Sequence, residues 1–396
     1  MSINVFSEIK QLKKVMLHRP GKELMKLTPE ILESLLFDEI PDYKKAQEEH
    51  DQFAQIFRDN GVEVVYLKDL VIETLKQGDH VRESFLDTFL LEADLDPDYM
   101  DLIRDYLNDM DIERLVQTSM EGITKYELLE EGFDVEAYDR DFFIYPMPNL
   151  YFTRDSFATI GNSVSVNHMY SITRNRETLY GDMIFTYHPD YKDVKDIFGR
   201  KNVPSIEGGD ILIISDELVL IGDSQRSKQA AIYTLAKNIL TEESSFKYVL
   251  QVRIDDSRAF MHLDTVMTQL DETSFAIHAP ILDNIKVNEL SLVDGKISSK
   301  KLDDDFDKIL SKYMNKDKIT FFKCGGDDLI AAKREQWTDG ANFVTISPGK
   351  VIAYKRNFVT NEILKNAGFD VLELDASNLI MGRGGPRCMS MPLERE

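Results

Sequence analysis

The sequence predicts an α/β protein made of repeated β/α modules, set in a ring or propeller-like array and interrupted by an all-helical insertion. Three observations carry that expectation. Residues 56–67 and 363–374 read alike: the end of an amphipathic helix, a glycine where the helix stops (Gly61, Gly368), then a strand. Glu207-Gly208-Gly209-Asp210 and Cys324-Gly325-Gly326-Asp327 each set a Gly-Gly-Asp turn before an apolar run, as internal copies of one unit would, with the turns at one end of the array. Residues 70–136 carry helical periodicity (Phe85, Phe89, Leu90; Leu102, Tyr106, Leu107; Leu115) with one proline, Pro97, and few β-branched runs.

Taken in order, the chain divides into a module array of residues 1–69 and 137–396 and an inserted helical domain of residues 70–136. After the insertion, residues 142–154 are rich in aromatics and prolines, and strands recur at Ser163–Val166, 218–221 and Lys350–Tyr354. At 396 residues, 43% of them hydrophobic, the chain buries a sizeable core, and disorder is excluded. Two cysteines, a start without the pattern of a secretory signal and no apolar run long enough to span a bilayer point to a reducing cytoplasm. A net charge of -23 disfavours nucleic acid or an anionic membrane as partner and mildly favours the approach of a cationic substrate.

Cys388 is the first candidate for chemistry. It lies in Arg383-Gly384-Gly385-Pro386-Arg387-Cys388, where open backbone and nearby positive charge favour the nucleophilic thiolate. A buried, inert thiol is the commoner fate of cysteine, but flanking glycines argue against burial in a packed element. His262 and Asp264 sit in a segment, residues 260–267, that alternates like a strand and would put both on one face, a proton carrier beside a carboxylate. The polar side of an edge strand fits that pattern equally well. A zinc site fits less well, because no second histidine or cysteine pair lies at ligand spacing.

Asp155 closes a run that includes Asn149, Tyr151 and Phe152, and a carboxylate against an aromatic wall suits a planar cation such as guanidinium. An aromatic core edge ending in a capping acid reads the same. Glu207 stands just before two glycines, where a backbone can approach a ligand closely; alone, it is better read as an ordinary turn acid.

Read together, Asn149-x-x-Phe152-x-x-Asp155, Glu207-Gly-Gly-Asp210, His262-x-Asp264 and Arg383-Gly-Gly-Pro-Arg-Cys388 resemble, in that order, the arginine deiminase family of the guanidine-modifying superfamily. The resemblance runs from Leu17-His18-Arg19-Pro20-Gly21 to the C-terminus. It implies a five-fold pseudosymmetric α/β-propeller of ββαβ-like modules carrying an inserted helical bundle, and hydrolysis of L-arginine to citrulline and ammonia. It implies Cys388 as nucleophile, His262 as general acid and base, Asp155 and Asp264 as the carboxylates that grip the guanidinium, and Glu207 as the acid that orients His262 and the substrate. Asn149, Phe152, Arg174 and Arg226 match residues that contact the amino-acid part, Arg383 a residue that swings over bound substrate, and residues 37–43 a closing loop. No metal or organic cofactor is implied; the partners are L-arginine and water, with a homo-oligomer, dimer or tetramer, expected. The alternatives are an amidinotransferase using the same residues and a catalytically idle binding or surface protein. Ser156, Gln225 and Arg387 depart from frequent family residues, and Arg387, where some relatives have histidine, would bear on the pH at which Cys388 reacts.

Overall fold

The helix Tyr43–Asp59 begins at Asp42, whose side chain accepts from the Lys45 N–H, and buries Ala46, Phe53, Ala54 and Phe57 along one face. It stops at Gly61, whose φ of +75° is open to glycine at little cost, and the chain enters strand Glu63–Tyr66. Helix Phe358–Asn366, Gly368 at φ +95° and strand Asp370–Leu374 repeat the arrangement. These elements belong to a computed structural model that describes residues 3–241, 244–256 and 260–396.

Among the described residues, five sheets share one connectivity: an antiparallel pair, a helix, and a third strand parallel to the second member of the pair. The pairs are Phe157–Ile160 with Ser163–Val166, Ile211–Ile213 with Leu218–Asp223, Met267–Gln269 with Ser274–Ile277, and Val344–Ser347 with Lys350–Tyr354. The fifth joins the two ends of the chain, Met391–Arg395 running antiparallel to Leu12–Leu17. Strands such as Leu218–Asp223 are apolar almost throughout because both faces are covered, which is why they read as continuous hydrophobic runs. A hairpin, Lys286–Val293 with Lys296–Leu302, widens the Ile211–Ile213 sheet to five strands.

Helices Leu67–Leu75, Asp79–Leu91, Met100–Asn108, Ile112–Glu121 and Lys125–Glu130 follow the first module. Their buried Phe85, Phe89, Leu107 and Leu115 form one apolar cluster with Phe157, Leu179 and Tyr180 of the next module. No helix among the described residues is long and apolar enough to cross a membrane.

Two local expectations are corrected. Residues 260–267 do not form a strand: His262 is extended, Leu263–Thr265 is a 3-10 turn, and the strand begins at Met267. The Leu263 N–H is taken by Asp210 Oδ1 at 2.8 Å, and the Thr265 hydroxyl donates to the His262 carbonyl at 2.7 Å. Local side-chain bonds thus replace the ladder that alternation would have served. The two Gly-Gly-Asp turns are also not equivalent. Gly208–Asp210 precedes the first strand of its module, whereas the second turn follows strand Thr320–Lys323 and leads into helix Leu329–Trp337, capped by Asp328.

The fold positions chemistry in a regular way. Immediately before the first strand of each antiparallel pair stand Asp155, Glu207, His262 with Asp264, Asn342 and Cys388, and hydrogen bonds or close contacts join them to one another.

Candidate active site

Gly208 and Gly209 let this junction close. A Cβ on Gly208 would lie 1.9 Å from the Arg154 carbonyl oxygen, and one on Gly209 2.7 Å from the His262 ring. Asp210, fully buried, accepts from the Ser224 and Ser227 hydroxyls, each at 2.6 Å, as well as from Leu263, and so fixes the turn that carries His262. Glu207 accepts from the Tyr170 N–H at 2.9 Å through Oε1 and meets His262 Nε2 at 2.7 Å through Oε2. The other ring nitrogen, Nδ1, is 3.9 Å from Asp155 Oδ1, which has no hydrogen-bond partner.

These contacts set the charges. Burial opposes a charge on His262, but Asp155, Glu207 and Asp210 outweigh it and raise the imidazole to about 9. Burial likewise pushes Glu207 up, while Arg226 and the bond to His262 prevail and hold it below the usual carboxylate range. A histidine raised in this way stabilises the fold fully below its unfolded value of about 6.5 and ceases to do so as pH rises through about 9. The ligand-free protein is therefore expected to melt several degrees lower above that window than below it, and His262→Gln to lose part of the difference. Identical pH–melting curves for the two proteins would contradict this.

Cys388 departs from its expected setting. It is 3% exposed, and its Sγ lies 3.7 Å from Asp264 Oδ2 and 3.2 Å from Asn342 Nδ2. Burial, then Asp264 and Asp155, push the thiol well above its ordinary value, so the empty site holds a neutral thiol beside a charged imidazole. The neighbouring positive charge does not offset this, because Arg387 is committed elsewhere. Its guanidinium donates to Glu8 at 2.9 and 3.0 Å, to Asp264 Oδ2 at 2.8 Å and to the Ile211 carbonyl at 2.8 Å.

The cleft between these groups is narrow in the empty protein, with a cavity volume of about 20 Å³. Asn149, Phe152, Asp155, Arg174, Arg226, His262, Arg383 and Cys388 line it, so most of the residues expected to contact a ligand are brought together. Asp264 and Glu207 stand one contact behind, on Cys388 and His262. Arg174 donates to Asp155 Oδ2 at 2.8 Å and to both oxygens of Glu177, so in the empty site a protein guanidinium occupies one of the carboxylates. Arg226 donates to Met261 Sδ and faces the Tyr170 ring at 5.6 Å. Arg383 takes left-handed backbone (φ 63°), lies 3.5 Å above the Trp337 ring centroid and approaches Asp38 at 3.4 Å. From the segment expected to close the site, it is Leu36, just ahead of residues 37–43, that reaches the cleft, while Phe37 is buried against Tyr151.

Atoms of Asp155, Glu207 and His262 lie within 4.8 Å of one another, a spacing that a metal ion could use. Asp155 Oδ2, both Glu207 oxygens and His262 Nε2 are already engaged with Arg174, Tyr170 and each other, and Arg174 and Arg226 add positive charge beside them, which opposes a further cation. Sequence reasoning missed Leu36, Met261, Thr265, Asn342 and Asp339. Asp339 is buried with an unpartnered oxygen, and burial, opposed by Arg383, pushes it up to about 7. The available signal was positional: Asp339-Gly340-x-Asn342 precedes Val344–Ser347 as Glu207-Gly208-Gly209-Asp210 precedes Ile211–Ile213.

Solved structures share this mixed α/β fold. A dimethylarginine dimethylaminohydrolase from Pseudomonas aeruginosa complexed with citrulline matches with a TM-score of 0.51 at 16% identity, over 96% of this chain and 99% of that one. An amidinotransferase of saxitoxin biosynthesis from Microseira wollei matches with a TM-score of 0.53 at 14% identity, over 100% and 97%. The sequence shows the family: the family model for arginine deiminase covers residues 33–395. Arginine deiminases of Treponema denticola and Streptococcus sanguinis are 50% and 48% identical, over 100% of this chain and 98% of each relative. The chain belongs to the arginine deiminase family, hydrolases of the C–N bonds of linear amidines.

Proposed function

We infer that this site converts L-arginine and water to L-citrulline and ammonia, with Cys388 as nucleophile and His262 as general acid and base. The observation that carries the reading is the convergence of a thiol, an imidazole and the Asp155 carboxylate on one narrow cleft, with Asp264 held against the sulfur. Asp155 borders the space beside the thiol and Asp264 stands against the sulfur from behind, so a guanidinium there would balance the charges that hold the thiol neutral. The arriving cation replaces Arg174 on Asp155 and favours ionisation of the thiol, whose proton is released to solvent, and the thiolate adds to the guanidinium carbon. His262 gives its proton to the departing nitrogen, ammonia leaves, and an S-alkylthiouronium remains on Cys388. Neutral His262 then takes a proton from water as it adds to the same carbon, and collapse of the adduct expels the thiolate, which recovers the remaining hydroxyl proton as citrulline is released.

Asn149 and Phe152 are assigned to the amino-acid part, and Arg383 to covering it by leaving Trp337. Arg174 and Arg226 are assigned to the α-carboxylate, an anion whose loss would leave both guanidinium groups underpaired. Arg226→Ala is accordingly expected to raise KM for arginine about tenfold to a hundredfold with little change in kcat, from the loss of a charged hydrogen bond. An unchanged KM in steady-state assays would remove Arg226 from that role.

The repeated sheet connectivity and the pairing of the chain ends support a five-bladed α/β-propeller formed by residues 1–69 and 137–396, with residues 70–136 as the inserted helical domain. A homo-oligomer, dimer or tetramer, in the cytoplasm completes the proposal. Product analysis tests the function: arginine alone should give equal amounts of citrulline and ammonia, whereas ornithine released only with an added amine acceptor would mark amidino transfer.

A further inference from the structure

Four of the five segments that precede a first strand supply groups already assigned: Asp155, Glu207, His262 with Asp264, and Cys388. The remaining one supplies Asn342, two residues ahead of Val344–Ser347 and 1% exposed. Its side-chain amide is used at every corner. Oδ1 accepts from the Arg387 N–H at 2.9 Å and the Cys388 N–H at 3.3 Å, while Nδ2 donates to the Asp264 carbonyl at 3.0 Å and to Cys388 Sγ at 3.2 Å. Two backbone N–H groups can only donate and one carbonyl can only accept, so the amide cannot be turned over, and it is the NH2 that faces sulfur. The approach is built in: a Cβ on Gly385 would lie 2.5 Å from Asn342 Oδ1, so the glycine admits the amide to the loop.

We propose that Asn342 is a catalytic residue whose Nδ2–H donates to Cys388 Sγ, favouring its anionic form and aiming it at the guanidinium carbon in both half-reactions. Burial and carboxylates around Sγ are adverse to that form, and a backbone hydrogen bond from Gly385 offsets them only in part. Asp264, Asp155 and Asp339 all oppose negative charge on the sulfur, and the Arg387 charge is spent on Glu8 and Asp264. A neutral donor fixed on sulfur gains strength as the sulfur becomes negative. It therefore acts first when the thiolate forms and again when the thiolate is expelled from the adduct as citrulline forms. Asn342 does not border the cleft, so its effect falls on the chemical steps rather than on substrate binding.

The inference rests on Cys388 being the nucleophile, and the experiment separates the two. Alkylation of Cys388 by 2-chloroacetamide is followed against pH in the arginine-free protein, by mass spectrometry of the Cys388 peptide, for wild type, Asn342→Ala, Asn342→Asp and Asn342→Ser. Steady-state constants and melting temperatures are measured on the same samples. The midpoint should track the donor. It is expected to rise by about one pH unit or more in Asn342→Ala, further in Asn342→Asp, where a carboxylate faces sulfur, and least in Asn342→Ser, which keeps a hydroxyl donor. kcat should fall about tenfold or more in the first two, with KM within about twofold. Midpoints that coincide across the set, or activities that follow melting temperature instead of the donor, overturn the proposal. Citrulline formation surviving Cys388→Ser would instead remove the nucleophile itself.

Discussion

Cys388→Ser is expected to lower citrulline formation by about ten-thousandfold or more while leaving the melting temperature nearly unchanged. The two side chains differ by one atom, and Cys388 contributes little to folding beyond its contacts with Asn342 and Asp264, which a hydroxyl can also make. The chemical loss is much larger. Burial and neighbouring carboxylates already hold the thiol neutral, and a hydroxyl, intrinsically far harder to ionise, would remain protonated even with a guanidinium in the cleft. Arginine should still bind, since Asp155 and the arginines that line the cleft are untouched. A colorimetric citrulline assay with melting curves on the same samples checks this, and readily measurable turnover by the serine variant would sink the assignment.

His262→Gln is expected to reduce kcat by about a hundredfold to ten-thousandfold with a much smaller change in KM. The imidazole is the one group in the cleft that is charged before reaction and able to give up that proton, because Asp155, Glu207 and Asp210 hold it on the nitrogen until ammonia departs. Glutamine keeps a donor for Glu207 but cannot release a proton or take one from water, so both half-reactions suffer. Loss of the charge also removes one reason for Glu207 to stay ionised, and some loss of stability should accompany the kinetic effect. Steady-state kinetics on arginine decides: a kcat within a factor of a few of wild type would assign proton transfer to another group.

Much of the module pattern was legible because its signals are local. Gly61 and Gly368 stop helices by their own backbone freedom, and strands such as Lys350–Tyr354 announce themselves by continuous apolar character. The residues around the cleft were legible only as a set, through the spacing that resembles a family, since Glu207 alone reads as a turn acid. What escaped was decided by tertiary contacts. The strand expected over residues 260–267 gave way to a turn because Asp210, distant in sequence, captures the Leu263 N–H. The glycines around Cys388 suggested exposure, yet they serve the opposite purpose: Gly382, Gly384 and Gly385 let the loop pack against Phe152 and Asn342, which buries the thiol. Arg387 read as a charge for the sulfur and instead joins Glu8 to Asp264. Asn342 carried no motif, and only its place before a first strand marks it.

The central claim is that Cys388 forms a covalent bond to the guanidinium carbon during turnover. It is tested most directly by mixing the enzyme with arginine isotopically labelled at that carbon, quenching in acid during steady state, and mapping the label by peptide mass spectrometry. Label on the Cys388 peptide, absent from Cys388→Ser and chased into citrulline when unlabelled arginine follows, is the predicted result. Label on another residue, or citrulline accumulating with no label on Cys388 at any quench time, would contradict it.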